Sequence, residues 1–202
     1  IVSSTKVGPT VADDITTHGM LAVAASLLGI FIYILVRFDK WQFSLGAVAG
    51  LFHDTVVILG IYSLFYKIMP FNMEINQDFI AAILTVIGYS INDTVIIFDR
   101  IREYLREKKA LTLAGLFYDS ISSTIGRTFN TSFTTILVIL AIFIFGGDNL
   151  RGFMFCLLIG IGFGTYSSIF IASATAYDFL RGKKKEDKVT GKSSIDNAEL
   201  VN

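Results

Sequence analysis

Five long apolar runs, separated by short polar stretches, set the plan of this 202-residue chain. The first covers 18–36 and closes in Arg37, Asp39, Lys40 and Trp41, a short charged turn with an interfacial aromatic. The second covers 43–68, is interrupted by His53-Asp54, and ends at Pro70 before a polar loop over 72–78. The third, 79–98, leads into a dense row of Arg, Lys and Glu over 99–109. Residues 111–123 alternate apolar and small polar positions at helical spacing, which predicts an interfacial helix leading into the fourth run, 126–145. A Gly146-Gly147-Asp148-Asn149 turn precedes the fifth, 152–180. About 20 apolar residues cross the roughly 30 Å of a bilayer's hydrocarbon core. The pattern therefore predicts an all-α fold: a polytopic membrane helix bundle with five transmembrane helices and one interfacial amphipathic helix. Residues 1–17 are expected to be a polar linker, in which Pro9 breaks regular structure and Asp13-Asp14 open the first helix. Residues 18–180 form the transmembrane domain, and 181–202 a basic, then mixed polar, disordered tail. The chain opens on Ile1 and reads as a piece of a longer polypeptide.

Composition agrees. The chain is 53% hydrophobic and 17% charged, against about 25% charged in soluble domains. Net charge is zero, but its distribution carries the information. Alternating the loops across five spans puts 13 of the 17 Lys and Arg on one side, leaving Lys6, Lys67 and Arg151 on the other and Arg127 within the membrane. Basic loops face the cytoplasm, so the C-terminus is predicted there and the N-terminal end outside. One cysteine, Cys156, permits no disulfide within the chain and, with two distant histidines, no zinc pattern. The GIGFG at Gly160 lies inside an apolar run with no strand before it, so it is no dinucleotide fingerprint. No nucleophile elbow or phosphate-cradling loop is present, and the reading is of a non-enzyme without cofactor, metal or nucleic-acid partner.

Candidate chemistry centres on residues 88–103, GYSINDTVIIFDRIRE. A charged side chain at the bilayer centre costs about 3 kcal/mol, so Asp93 is a functional candidate by default. Helical spacing puts Tyr89, Asp93 and Arg100 on one side, with Thr85, Asn92 and Asp99 beside them. Such a polar stripe must face other helices or a water-filled path. Asp93 suits a group that gains and loses a proton as access alternates, and equally a structural carboxylate pairing with a neighbour. Arg127 opens the fourth span. Thr131, Thr134 and Thr135 continue its face, and Thr124, Thr128, Ser132 and Thr135 form an adjacent hydroxyl row. Such hydroxyls can bond across helices, while Arg127 can also snorkel to the headgroups. His53 and Asp54 point about 100° apart on a helix and so are not expected to face each other as a pair. Gly160, Gly164 and Ser168, and likewise Gly46 and Gly50, are small residues at four-residue spacing that allow close helix packing.

These residues carry a resemblance. GYSINDTVIIFDRIRE closely resembles a span motif of the SecF family, the membrane component of the bacterial SecD–SecF protein-export complex. KVGPTVADDI (6–15), LFHDTVVILG (51–60) and RTFNTSFTT (127–135) resemble it too, in the same order, so that the likeness covers roughly residues 4–185. Asn92-Asp93 favours the SecF half, since SecD typically has Asp-Ala-Asn there. The resemblance implies a relative of resistance-nodulation-division transporters, with a first span and a periplasmic domain preceding this region. It implies use of the proton-motive force to help pull exported proteins across the inner membrane after SecA has pushed them through SecYEG. A proton relay on Asp93 and Arg127 follows, with a further acid from SecD, and Asn92, Tyr89, Thr131, Thr135, His53 and Asp54 as a supporting polar path. In that relay Arg127 pairs with charged Asp93, and helix shifts move the periplasmic domain. Implied partners are SecD, separate or fused, SecYEG, YajC and YidC, unfolded preproteins and membrane lipid. A lone carboxylate among hydroxyls serves a sodium ion as well as a proton. Two other classes stand beside this one: a proton-driven small-molecule or lipid exporter of the same superfamily, and a non-transporting scaffold subunit.

Overall fold

The computed structural model describes residues 9–38, 40–107 and 112–189, with side chains for 17–38, 40–107 and 112–182. Helix α1 spans Pro9–Phe38, α2 Trp41–Phe65, α3 Gln77–Glu107, α4 Leu113–Phe145 and α5 Asp148–Ser167. A single π-helical turn, Ser168–Ala172, joins α5 to α6, Ser173–Val189, so that the last two form one long rod. Among the described residues five segments are long and apolar enough to cross a membrane, and the protein is a multi-pass membrane bundle.

Local chemistry explains most helix ends. Pro9 opens α1 instead of breaking it, because the first helical turn needs no N–H from its first residue. The helix thus begins nine residues ahead of the expected span, and Asp13-Asp14 fall beyond its first turn. Asn76 Oδ1 accepts the Phe79 N–H at 3.0 Å and caps α3. Thr112 caps α4 by accepting the Gly115 N–H at 3.1 Å. The amphipathic segment expected along the interface runs without a break into the fourth span, as one helix. At the other end, residues 181–189 continue α6 as helix, where a disordered tail was expected; the segment has no proline, and the Lys and Glu that follow Gly182 are good helix formers. The disorder expected further on, and Asp39, Lys108 and Lys109, lie outside the described residues.

Helix α3 is the centre, packed on α1, α2, α4 and α5. Its contact with α5 has a regular four-residue step. Val86 meets Gly160, Ser90 meets Gly164, and Thr94 Oγ1 lies 2.9 Å from Ser168 Oγ. A side chain at Gly160 would collide with Val86. The glycines of α2 do the same for the π turn: a Cβ at Gly46 would lie 2.5 Å from the Ala172 carbonyl oxygen, and one at Gly50 3.3 Å from Ala172 Cβ. Along α3 and α5 two apolar layers bracket a polar one. Phe79, Ala82, Ile83, Val86 and Ile87 pack with Cys156, Leu157 and Ile161. Ile97, Phe98 and Ile101 pack with Phe38, Phe43 and Ala172. Between these layers lie the buried Ser90, Asp93, Thr94, Ser167 and Ser168.

Candidate functional site

Asp93 is fully buried at the middle of α3. Its Oδ2 accepts from Ser132 Oγ of α4 at 3.3 Å and from Thr165 Oγ1 of α5 at 3.4 Å. Those two hydroxyls are themselves 2.6 Å apart. Its Oδ1 is buried with no hydrogen-bond partner. Thr128 Oγ1, one turn from Ser132 on the same face of α4, is likewise buried and unpartnered. A buried polar atom without a partner is uncommon and calls for an explanation.

The stripe expected on α3 faces α4 along its length. Tyr89 Oη donates to Thr135 Oγ1 at 3.1 Å, Asp93 meets Ser132, and Arg100 Nε donates to Ser123 Oγ at 3.1 Å. The adjacent row turns to α1 instead: Asp99 pairs with Arg37 at 3.0 Å, and Asn92 lies exposed in a groove with Gly29 and Tyr33. Asn92 therefore does not join Asp93.

Arg127 is exposed on α4 and does not reach Asp93, contrary to the expected pairing. Thr131 and Thr134 share that outer face and bond only backbone carbonyls, Thr131 to that of Arg127 at 2.8 Å. The inward face is the neighbouring row, Thr124, Thr128 and Ser132, all buried. The reason is steric and electrostatic. Short hydroxyls let α4 approach α3 and α5, whereas a buried guanidinium needs a paired anion.

A second acid, Asp54 of α2, is also buried, at 1% exposure. Its Oδ2 accepts from Ser90 Oγ of α3 and from Ser167 Oγ of α5, both at 2.8 Å. His53 Nδ1 lies 3.3 Å from its Oδ1, so the neighbouring side chains do pair. Their Cβ directions diverge, but the side-chain torsions bring the tips together. Gly160, Gly164 and Ser168 line the α3–α5 contact described above. Sequence reasoning missed Ser90, Thr94, Thr165 and Ser167. Ser90 and Thr94 flank Asp93 at helical spacing, and Thr165 and Ser167 border the small-residue row, which was the available signal. Among the described residues no group of His, Cys, Asp and Glu has a metal-binding arrangement.

The family model for the C-terminal part of the protein export membrane proteins SecD and SecF matches residues 1–182. The chain belongs to the SecD/SecF family. It is 51% identical over 173 residues to the protein translocase subunit SecF of Rhodothermus marinus, covering 86% of this chain and 56% of that one. It is 46% identical to the protein translocase subunit SecDF of Brucella abortus, covering 86% of this chain and 22% of that one. The crystal structure of SecDF from Thermus thermophilus, described as a translocon-associated membrane protein, superposes with a TM-score of 0.76 at 38% identity, over 87% of this chain and 23% of that one. SecD/SecF members thus include separate SecF chains and larger SecDF chains. This chain spans a little over half the length of its SecF relatives.

Proposed function

We propose that this chain is the membrane part of a SecF-type subunit that works with SecD, as a partner or in a fused chain, in protein export across the bacterial inner membrane. Its C-terminus is cytoplasmic and its N-terminal end periplasmic, on the basic-residue bias of its loops. It works beside SecYEG, YajC and YidC on unfolded preproteins and is driven by the proton-motive force, as an accessory subunit without catalytic chemistry. The observation carrying this reading is Asp93: a buried carboxyl inside the third span, held by two hydroxyls through one oxygen and unpartnered at the other. Asp93 takes a proton from the periplasmic side and releases it to the cytoplasm, and its two states bias the packing of α3 against α4 and α5. A conformational change needs such a differential interaction. Arg127, on the outer face of α4, meets a carboxylate of SecD when the complex is assembled, and so joins the relay from the other side.

The test is preprotein transport in inverted vesicles carrying the full complex, comparing wild type with Asp93→Asn, with and without a proton gradient. Co-purification with SecD checks assembly. The gradient should stimulate wild type and leave the assembled variant unchanged. An assembled variant that responds like wild type overturns the relay and supports a scaffold role for Asp93. A sodium gradient that substitutes for the proton gradient overturns the choice of ion.

A further inference from the structure

We propose that His53 and Asp54 form a second proton-binding site, apart from Asp93, in which the position of one shared proton sets how tightly α2 is tied to α3 and α5. The geometry has three parts. His53 is one-third exposed on α2, while Asp54 is buried, and the two meet at 3.3 Å through Nδ1 and Oδ1. Asp54 Oδ2 takes hydrogen bonds from two different helices, through Ser90 and Ser167. Both hydroxyls also have a second acceptor in reach, the Gly164 carbonyl, at 3.5 Å from Ser90 Oγ and 3.1 Å from Ser167 Oγ.

These parts make a switch. With the proton on the imidazole, Asp54 is a carboxylate and both hydroxyls donate to it in charge-assisted bonds. Moving that proton from Nδ1 to Oδ1 breaks one N–H bond and forms one O–H bond. The imidazole and the carboxyl are then both neutral, and net charge is unchanged. Oδ2 becomes a carbonyl oxygen, an acceptor about half as strong. The Gly164 carbonyl then competes for both hydroxyls, and the ties from α2 loosen. Without the shared proton, a neutral imidazole lies beside a charged carboxylate that the two serines still hold.

The surroundings isolate the pair. α1 has no acid, Lys, Arg or His between His18 and Arg37, α2 no other, and α5 with the π turn none after Arg151. α6 has none before Asp178. On α3 the nearest is Asp93, one turn from Ser90, and its bonds go to Ser132 and Thr165. The site therefore titrates without reference to the export activity proposed above, and its test needs no transport.

The test is an infrared pH titration of the full-length protein in lipid nanodiscs. A carboxyl C=O band should appear on acidification in wild type and in Asp93→Asn and be absent in Asp54→Asn. His53→Gln should displace its midpoint by about one pH unit, the effect expected of a close charge partner. Ser167→Ala should shift the frequency of the same band. Should Asp54→Asn fail to fold, the His53→Gln and Ser167→Ala comparisons in ¹³C-aspartate-labelled protein decide alone. No titrating band beyond that of Asp93, or one indifferent to both His53→Gln and Ser167→Ala, overturns the proposal.

Discussion

Replacing Gly164 with alanine tests whether the polar layer depends on the close approach of α3 and α5. An added Cβ would lie 3.0 Å from Ser90 Cβ, 3.1 Å from Ser90 Oγ and 3.6 Å from Asp54 Oδ2. Ordinary van der Waals contact starts at 3.4 Å, so α3 must give by a few tenths of an ångström or Ser90 must turn away. Overpacking a tight site costs about 1–3 kcal/mol. Loosening a hydroxyl bond to a carboxylate costs about 1.5 kcal/mol more. Alanine returns about 1 kcal/mol of helix propensity over glycine. The net is a loss of about 1.5–3.5 kcal/mol. Gly162, two residues earlier, is the control, since a Cβ there meets nothing within 4 Å. Gly162→Ala should be neutral or stabilising by up to about 1 kcal/mol. The assay is detergent-driven unfolding of the full-length protein in mixed micelles, followed by circular dichroism. Two variants within about 1 kcal/mol of each other, or Gly164→Ala as the more stable, would refute the close-approach argument.

Other outcomes follow from the same contacts. Gly46→Ala should destabilise in that assay while Gly29→Ala does not, because the first Cβ meets the backbone of Ala172 and the second meets nothing within 4 Å. Cys156 is fully buried, so a maleimide should leave it unlabelled in the native state and modify it only as the protein unfolds. The Arg37–Asp99 pair is about half exposed on both sides, and a double-mutant cycle should give a coupling of no more than about 1 kcal/mol, weaker in high salt. A coupling well above that would mean the pair is shielded by protein or lipid.

The spans were legible because a bilayer demands long apolar runs, and the polar stripe of α3 because its spacing fits a helix facing α4. The phase of α4 was not. Arg127 with Thr131 and Thr134, and Thr124 with Thr128 and Ser132, are two polar rows side by side, and only packing decides which turns inward. The larger, charged residue drew attention to the outward face, which does not meet Asp93 within this chain. His53 and Asp54 were misread because Cβ directions were taken for side-chain directions, and the torsions of two flexible side chains close the gap. Pro9 was read as a breaker, although at a helix's first position it is accommodated. Ser90 and Ser167 were invisible one by one. They matter only because the four-residue step between α3 and α5 sets both beside an acid on a third helix.

The choice of partners for the two buried acids is itself informative. An arginine beside Asp93 or Asp54 would favour the carboxylate alone and lock the contact, since breaking a buried ion pair leaves an uncompensated charge. A hydroxyl both donates and accepts, so it can serve a carboxylate as donor and a protonated acid as acceptor. Ser132 and Thr165 can therefore stay within bonding reach of Asp93 Oδ2 in either state, while Ser90 and Ser167 bond a neutral Asp54 more weakly and have the Gly164 carbonyl as an alternative acceptor. At the polar layer α3 and α5 meet through small residues, Ser90 on Gly164 and Thr94 on Ser168. Small contact residues leave few side chains to repack when one helix moves against the other. The middle of the bundle thus pairs acids that can change protonation with partners that tolerate the change, inside an interface built for small displacement. The two apolar layers above and below hold the helices together while it happens.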